Sequence, residues 1–269
     1  MEAHLDRRAF LRIAGSSLPA LALGGLAAAE GPVTTQSRSK TEFQIACMTL
    51  PYAQFPLERA LGGIQSAGYR FVAWGTTHKG ADGKSAPVIA ANASAEKAAE
   101  LGKRCRDLGL KPLLMFSGIY PEAKEAVEVL TNRIRQAAAA GIPQVLTFGH
   151  SKGGNRDLWI QRLKQLGPVA RDHGVTIVVK QHGGETGTGA ACAEIIREVA
   201  NEGVKVNDDA GNVMDYLNVD PLSDIQSAWR KFAAFASRTI AIFRRARIAG
   251  LDSARSTITS CCTTLRLPI

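Results

Sequence analysis

The sequence predicts an α/β protein of the (β/α)8 TIM-barrel class, incomplete, with about six recognisable βα units. Three observations carry that prediction. From Thr41 onward short apolar runs alternate with amphipathic stretches, the pattern of a parallel sheet covered by helices. The units repeat at intervals of roughly 30 residues, and no Gly-x-Gly-x-x-Gly follows the first run, so a barrel fits better than an open dinucleotide-binding sheet. After Gln226 the rhythm disappears.

The first strand is expected over Phe43 to Leu50. Its helix follows over Pro56 to Ala67, with Leu57, Ala60, Leu61 and Ile64 on one face and Gly68 as the stop. Strand two spans Phe71 to Thr76, with a helix over Ala95 to Leu108. Strand three spans Pro112 to Phe116, and its helix, Pro121 to Ala140, ends at Gly141. Strand four is Gln144 to Phe148 with a helix over Arg156 to His173; strand five is Val175 to Val179 with a helix over Ala190 to Asn201. Strand six is Val204 to Asn207, before a helical segment at Pro221 to Gln226. A parallel ring that stopped there would leave two unpaired edges, a physically unfavourable state.

A chain of 269 residues, 45% hydrophobic and 21% charged, can bury one large core. The net charge of +9 suggests nucleic acid until it is located. The first 29 residues carry a net of +1 and residues 227 to 269 a net of +7, which leaves +1 for the body between them. A body so close to neutral does not support a nucleic-acid surface. Cys47, Cys105, Cys192, Cys261 and Cys262 form no Cys-x-x-Cys pair, and read as small core residues or accidents of the tail.

Residues 1–29 read as an export signal: Arg7-Arg8 before a mildly apolar stretch, closed by Ala27-Ala28-Ala29. The apolar run is short and rich in glycine and alanine, so no stable membrane span is expected. The paired arginines resemble the bacterial twin-arginine signal, which implies delivery to the periplasm. Residues 30–40 read as a linker, residues 41–226 as the barrel domain, and residues 227–269 as an aberrant basic tail.

Barrel enzymes place their chemistry where strands end and the following loops begin. Polar residues gather there: His78 after strand two, His150 after strand four, Lys180-Gln181-His182 after strand five, and Asp209 with Asn212 after strand six. His173 precedes Gly174 at a helix end and reads as a cap. The glycine-rich segments 151–155 and 183–189 could cradle a phosphate or sugar oxygen, or simply let the chain turn.

The segments Met48-Thr49-Leu50, Ala73-Trp74-Gly75-Thr76, Leu146-Thr147-Phe148-Gly149-His150, His182-Gly183-Gly184 and Asn207-Asp208-Asp209-Ala210-Gly211-Asn212, in this order, resemble the sugar phosphate isomerase/epimerase family with its xylose isomerase-like barrel. The resemblance covers roughly residues 41 to 226. It implies a divalent cation (Mn, Mg, Co or Zn), a small sugar or hydroxy-carbonyl substrate, and proton transfer beside a sugar carbonyl. It also implies Asp209 as a metal ligand. Lys180 stands where the family has a glutamate ligand, and an ammonium cannot ligate a cation; Gln181 or His182 would have to compensate. The expected roles are therefore Lys180 and His182 in catalysis, Asp209 and Gln181 at the metal, and Trp74, His78, His150 and Asn212 at the substrate. A non-catalytic carbohydrate-binding barrel is the alternative that Lys180 suggests.

The tail admits a test within the genetic code. With allowed codons for Arg230 to Ile269, reading two bases later yields KDH and, further on, GFGEIDH, the histidine and glutamate that the family's last two strands would supply. A shifted reading frame near codons 226 to 227 is the expectation, and an impaired chain its consequence. The alternative is a basic C-terminal helix that touches an anionic membrane through Phe232, Phe235, Ile240, Ile242 and Phe243.

Overall fold

The computed structural model describes residues 43–80, 82–228, 232–238 and 260–265. The expected export signal, residues 1–29, and the linker, residues 30–40, lie outside the described residues. The elements run β1 (Phe43–Met48), α1 (Leu57–Ser66), β2 (Phe71–Trp74), β3 (Thr77–Lys79), β4 (Ser85–Pro87), α2 (Ala95–Asp107), β5 (Lys111–Phe116), α3 (Ala126–Ala140), β6 (Gln144–Phe148), α4 (Arg156–Asp172), β7 (Thr176–Lys180), α5 (Gly189–Val199), β8 (Val204–Asp209), α6 (Ala210–Leu217), α7 (Pro221–Ala228), β9 (Phe232–Arg238) and β10 (Ser260–Leu265).

Local signals explain most boundaries. Ser94, Asn155 and Thr188 cap α2, α4 and α5, each side-chain oxygen accepting from a backbone N–H three residues on, at 3.0–3.4 Å. Helix α3 ends where Gly141 takes φ +74°, a left-handed turn that glycine adopts without a Cβ penalty. The predicted helix at Pro121 starts later, at Ala126, because residues 121–125 form turns. Before Gln226, two features go beyond the sequence expectation: the β3–β4 hairpin, which carries His78, and α6, which begins directly after Asp209.

Strands β1, β2, β5, β6, β7 and β8 are parallel neighbours in that order, the six units read from the sequence. These six units are the incomplete (β/α)8 barrel that the sequence predicts, and extended segments from beyond Gln226 lie along its open edges. Strand β9 pairs in parallel with β8, and β10 bridges β9 and β1, so eight strands close the barrel. The reading of Phe232 and Phe235 on a membrane-touching helix is corrected, since both lie in β9. The cause is the one that made an open ring unfavourable: the free edges of β1 and β8 present unpaired N–H and C=O groups that an extended segment satisfies. Strand β10 nonetheless runs antiparallel to both neighbours, unlike every strand of a (β/α)8 barrel.

Two apolar layers position the site. The larger lies between strands and helices and holds Trp74, Leu130, Trp159, Leu163 and Ile195. The smaller fills the barrel: Met48, Ala73, Leu114, Leu146 and Val178, with Phe116 and Phe148 packed against it. Because side chains alternate along a strand, Phe148 and Lys180 continue the inner face above Leu146 and Val178.

Candidate active site

Lys180 ends β7 and Asp209 ends β8, both on the inner face at the C-terminal mouth. Lys180 Nζ donates to Asp209 Oδ2 at 3.0 Å, with the side chains 12% and 4% exposed. The other carboxylate oxygen, Oδ1, accepts from Asn212 N at 3.1 Å and caps α6. Lys180 Nζ also stands 5.4 Å from the Phe148 ring centre. Paired with Lys180 in the β7–β8 register, and two residues before Asp209 on the same face, is Asn207. It is 1% exposed, and neither side-chain atom has a partner among the described residues.

Aromatic rings continue the wall. Phe116 and Phe148 meet edge to face at 5.9 Å, Phe148 and His182 lie 4.6 Å apart, and His182 and Tyr216 lie 5.2 Å apart. His182 Nδ1 donates to the Gly149 carbonyl at 2.7 Å, which leaves Nε2 to face Tyr216 Oη at 3.3 Å. His150 stacks on Tyr120 at 4.0 Å and stands 3.9 Å from Glu122. The two glycine-rich loops pack on each other: a Cβ on Gly183 or Gly184 would strike backbone carbonyls of residues 150–153. Their glycines allow that backbone contact.

Behind the strand ends, on the opposite face, lies a second polar group. Gln181 Nε2 donates to Asp208 Oδ1 at 2.6 Å and to Asp224 Oδ2 at 3.3 Å, while Gln181 Oε1 accepts from Asp209 N at 2.8 Å. Asp224 accepts from Gly189 N and anchors the start of α5. Burial pushes the Asp208 carboxyl up to about 6, against the lowering effect of the Gln181 hydrogen bond, and the nearby Asp224 and Asp209 charges push the same way. Burial also pushes the neighbouring Cys192 thiol up.

The structure thus brings Lys180, His182, Asp209 and His150 to one mouth, and leaves other expected residues elsewhere. Gln181 points away, its amide committed to Asp208, Asp224 and Asp209. Asn212 gives its amide to the Gln181 carbonyl at 2.7 Å and braces the β7 end. Trp74 is 1% exposed in the sheet–helix core with Cys105. His78 is buried on β3 and bound through Nδ1 to the Phe55 carbonyl at 2.9 Å. Phe116, Phe148, Tyr120, Glu122, Asn207 and Tyr216 join the site without a role expected from the sequence. Phe116 and Phe148 were legible as the last residues of their apolar runs, and Asn207 as the residue two before Asp209. Tyr120, Glu122 and Tyr216 sit on loops and on α6, where no periodicity marks a direction.

Comparison with known families gives a match to the model described as the xylose isomerase-like TIM barrel, over residues 63–242. The chain belongs to that family. No curated relative matches it by sequence. Among solved structures, a xylose isomerase-like TIM barrel protein from Mycobacterium smegmatis in complex with magnesium is 17% identical, with a TM-score of 0.57 over 73% of this chain and 76% of that one. An L-ribulose 3-epimerase is 20% identical, TM-score 0.56, over 72% and 69%. The 3-keto-D-glucoside 4-epimerase of E. coli is 11% identical, TM-score 0.55, over 73% and 79%. At these identities the likeness shows the fold.

The residues of this mouth do not fit the divalent cation that the resemblance implies. A cation there would share Asp209 with an ammonium 3.0 Å away, and like charges so close repel strongly in a low-dielectric site. Gln181, the other expected ligand, is turned outward. Among the described residues no group of three His, Cys, Asp or Glu side chains is placed to hold a metal. Strand β9 contains none of these residue types.

Proposed function

We propose that the protein is a sugar isomerase/epimerase-like barrel that receives a sugar or related hydroxy-carbonyl compound at the strand-end mouth, and that this chain is impaired in moving a proton beside the carbonyl. The observation that carries the reading is the convergence of Lys180, Asp209, Asn207 and the Phe148 and His182 rings on the barrel's inner face. Aromatic faces suit the apolar side of a sugar ring, and the polar groups suit its hydroxyls. Structural neighbours that are epimerases support the substrate class. Impairment follows from Asp209, whose two oxygens are both engaged, which leaves a poor base. The residues present do not fit a metal-assisted step, since Asp209 is paired with Lys180 and Gln181 is turned outward.

The test is proton exchange. Ketoses and aldoses incubated with the protein in D2O and followed by 1H NMR should bind, as saturation-transfer signals, with exchange at the carbon beside the carbonyl far slower than the binding. Rapid exchange would overturn the impairment, and no binding of any sugar would overturn the ligand class. The closed Lys180–Asp209 pair favours a second reading, a non-catalytic carbohydrate-binding barrel; binding with no exchange at all would select it.

The segment after Gln226 is a product of a shifted frame; the antiparallel β10 and the decoded KDH and GFGEIDH support this, and sequencing the DNA across codons 226 to 227 tests it. One continuous frame there would refute it. The twin-arginine pair at Arg7-Arg8 directs export to the periplasm, and Arg7→Lys with Arg8→Lys should hold the protein in the cytoplasmic fraction. No helix among the described residues is long and apolar enough to cross a membrane.

A further inference from the structure

We propose that Lys180 takes the place of a divalent cation in this mouth, and that Lys180 with Asn207 forms a metal-free subsite for the 2-hydroxycarboxylate end of an acidic sugar. The inference rests on the sugar reading for the remainder of the ligand, and goes beyond it in naming the charged group and excluding the metal.

An ammonium has three N–H donors, and Asp209 Oδ2 takes one. Asp209 itself is committed on both sides, to Lys180 and to the α6 backbone. Of the two, Lys180 is the more exposed, at 12% against 4%, so the pair turns N–H groups rather than carboxylate oxygens toward a ligand. The Phe148 face at 5.4 Å favours a cation at this place and restricts water on that side.

Asn207 is the second, independent observation. A carboxamide 1% exposed, with neither Oδ1 nor Nδ2 satisfied among the described residues, is costly to bury, and native interiors keep such a group for a partner. It neighbours Lys180 in the β7–β8 register and shares its face. Together they offer N–H donors from Lys180 and Asn207 Nδ2, and one acceptor, Asn207 Oδ1. A carboxylate flanked by a hydroxyl answers both: its oxygens accept charge-assisted hydrogen bonds, and its hydroxyl donates to Oδ1. A neutral polyol satisfies the acceptor but gains much less from the ammonium. A metal is unnecessary, since the fixed positive charge that would draw the ligand oxygens is already covalently attached to β7.

The experiment uses the full chain, EDTA-treated and dialysed. Titration with Mn2+ followed by electron paramagnetic resonance should show no saturable site at millimolar metal. Lys180→Glu should gain Mn2+ binding at least tenfold tighter, and adding Asp209→Asn should abolish the gain. By calorimetry, D-gluconate should bind at least tenfold more tightly than sorbitol, and EDTA should leave this unchanged. Lys180→Gln and Asn207→Leu should each weaken gluconate about tenfold with the circular dichroism spectrum retained. If Lys180→Gln unfolds the chain, the neutral pair Lys180→Gln with Asp209→Asn carries the same comparison. A saturable Mn2+ site in the unaltered chain that needs Asp209, gluconate binding lost with EDTA, equal affinity for gluconate and sorbitol, or binding of neither would each overturn the proposal. The Mn2+ titration involves no sugar, so its outcome is separable from failure of the sugar reading.

Discussion

Asp208 and Lys180 sit on adjacent strands and point to opposite faces, and each carries its own prediction. Asp208 is buried, with its carboxyl raised to about 6, so folding favours its neutral form. Its stabilising contribution is complete below the unfolded value near 3.8 and is lost as pH rises through about 6. Asp208→Asn keeps an oxygen for Gln181 and removes the charge. It should raise stability at pH 8 by about 1–3 kcal/mol and leave it unchanged near pH 3. Urea melts of both proteins from pH 3 to 8 measure the difference, and a difference independent of pH would sink the assignment. For the inner pair, Lys180→Gln alone leaves Asp209 buried and uncompensated and should cost roughly 3 kcal/mol, most of it recovered by adding Asp209→Asn. A double-mutant cycle in urea checks this; additive costs would show that the two groups do not interact. Lys180 and Asp209 are legible in the sequence because both follow directly on strands, where a barrel places its polar groups. Gln181 and Asn212 turn away from the mouth, because strand alternation points Gln181 opposite to Lys180, and Asn212 lies in the first turn of α6, where its amide reaches the Gln181 carbonyl.

At the scale of elements, the barrel wall depends on glycines at close approaches. Gly102 lies inside α2, where propensity alone says that Ala should stabilise by about 1 kcal/mol. The α2–α3 contact decides otherwise: a Cβ on Gly102 would sit 2.5 Å from the Ala140 carbonyl oxygen and 2.9 Å from its Cα. Backbone cannot swing aside as a side chain can, so Gly102→Ala should destabilise by roughly 1–3 kcal/mol. Thermal melts decide the sign, and a stabilised variant would refute the contact. In the loops, Gly184 holds φ +50° against the carbonyls of Gly153 and His150. Gly184→Ala should cost about 2 kcal/mol or more and weaken sugar binding, because it pushes apart the loops that bear His150 and His182. Unchanged binding would detach these loops from the site.

The whole molecule turns on how the ring is closed. Six parallel strands need two more, and the tail supplies one in parallel and one antiparallel. If the proposed frame shift is right, a chain read in the other frame after Gln226 should supply two parallel βα units with buried apolar faces, and should unfold roughly 5 °C or more above this one, since about 2 kcal/mol moves the midpoint of a protein this size by that much. Differential scanning calorimetry of the two forms tests it; equal midpoints would mean that the existing closure is as good as a regular one.

Much of this protein was determined by its sequence alone: the six strand–helix units, their order, the helix caps and stops, and the concentration of polar residues at one end of the strands. Those features depend on local periodicity and on hydrogen bonds within a few residues, which a linear chain carries openly. The tertiary structure decided what depends on pairs distant in sequence. It joined Lys180 to Asp209 across 29 positions, set Asn207 beside them, turned Gln181 and Asp208 to the outer face, and drew β9 and β10 onto two open edges. An unpaired sheet edge accepts extended backbone with little regard to side chains, which is why a segment without the barrel's sequence rhythm could still complete its ring.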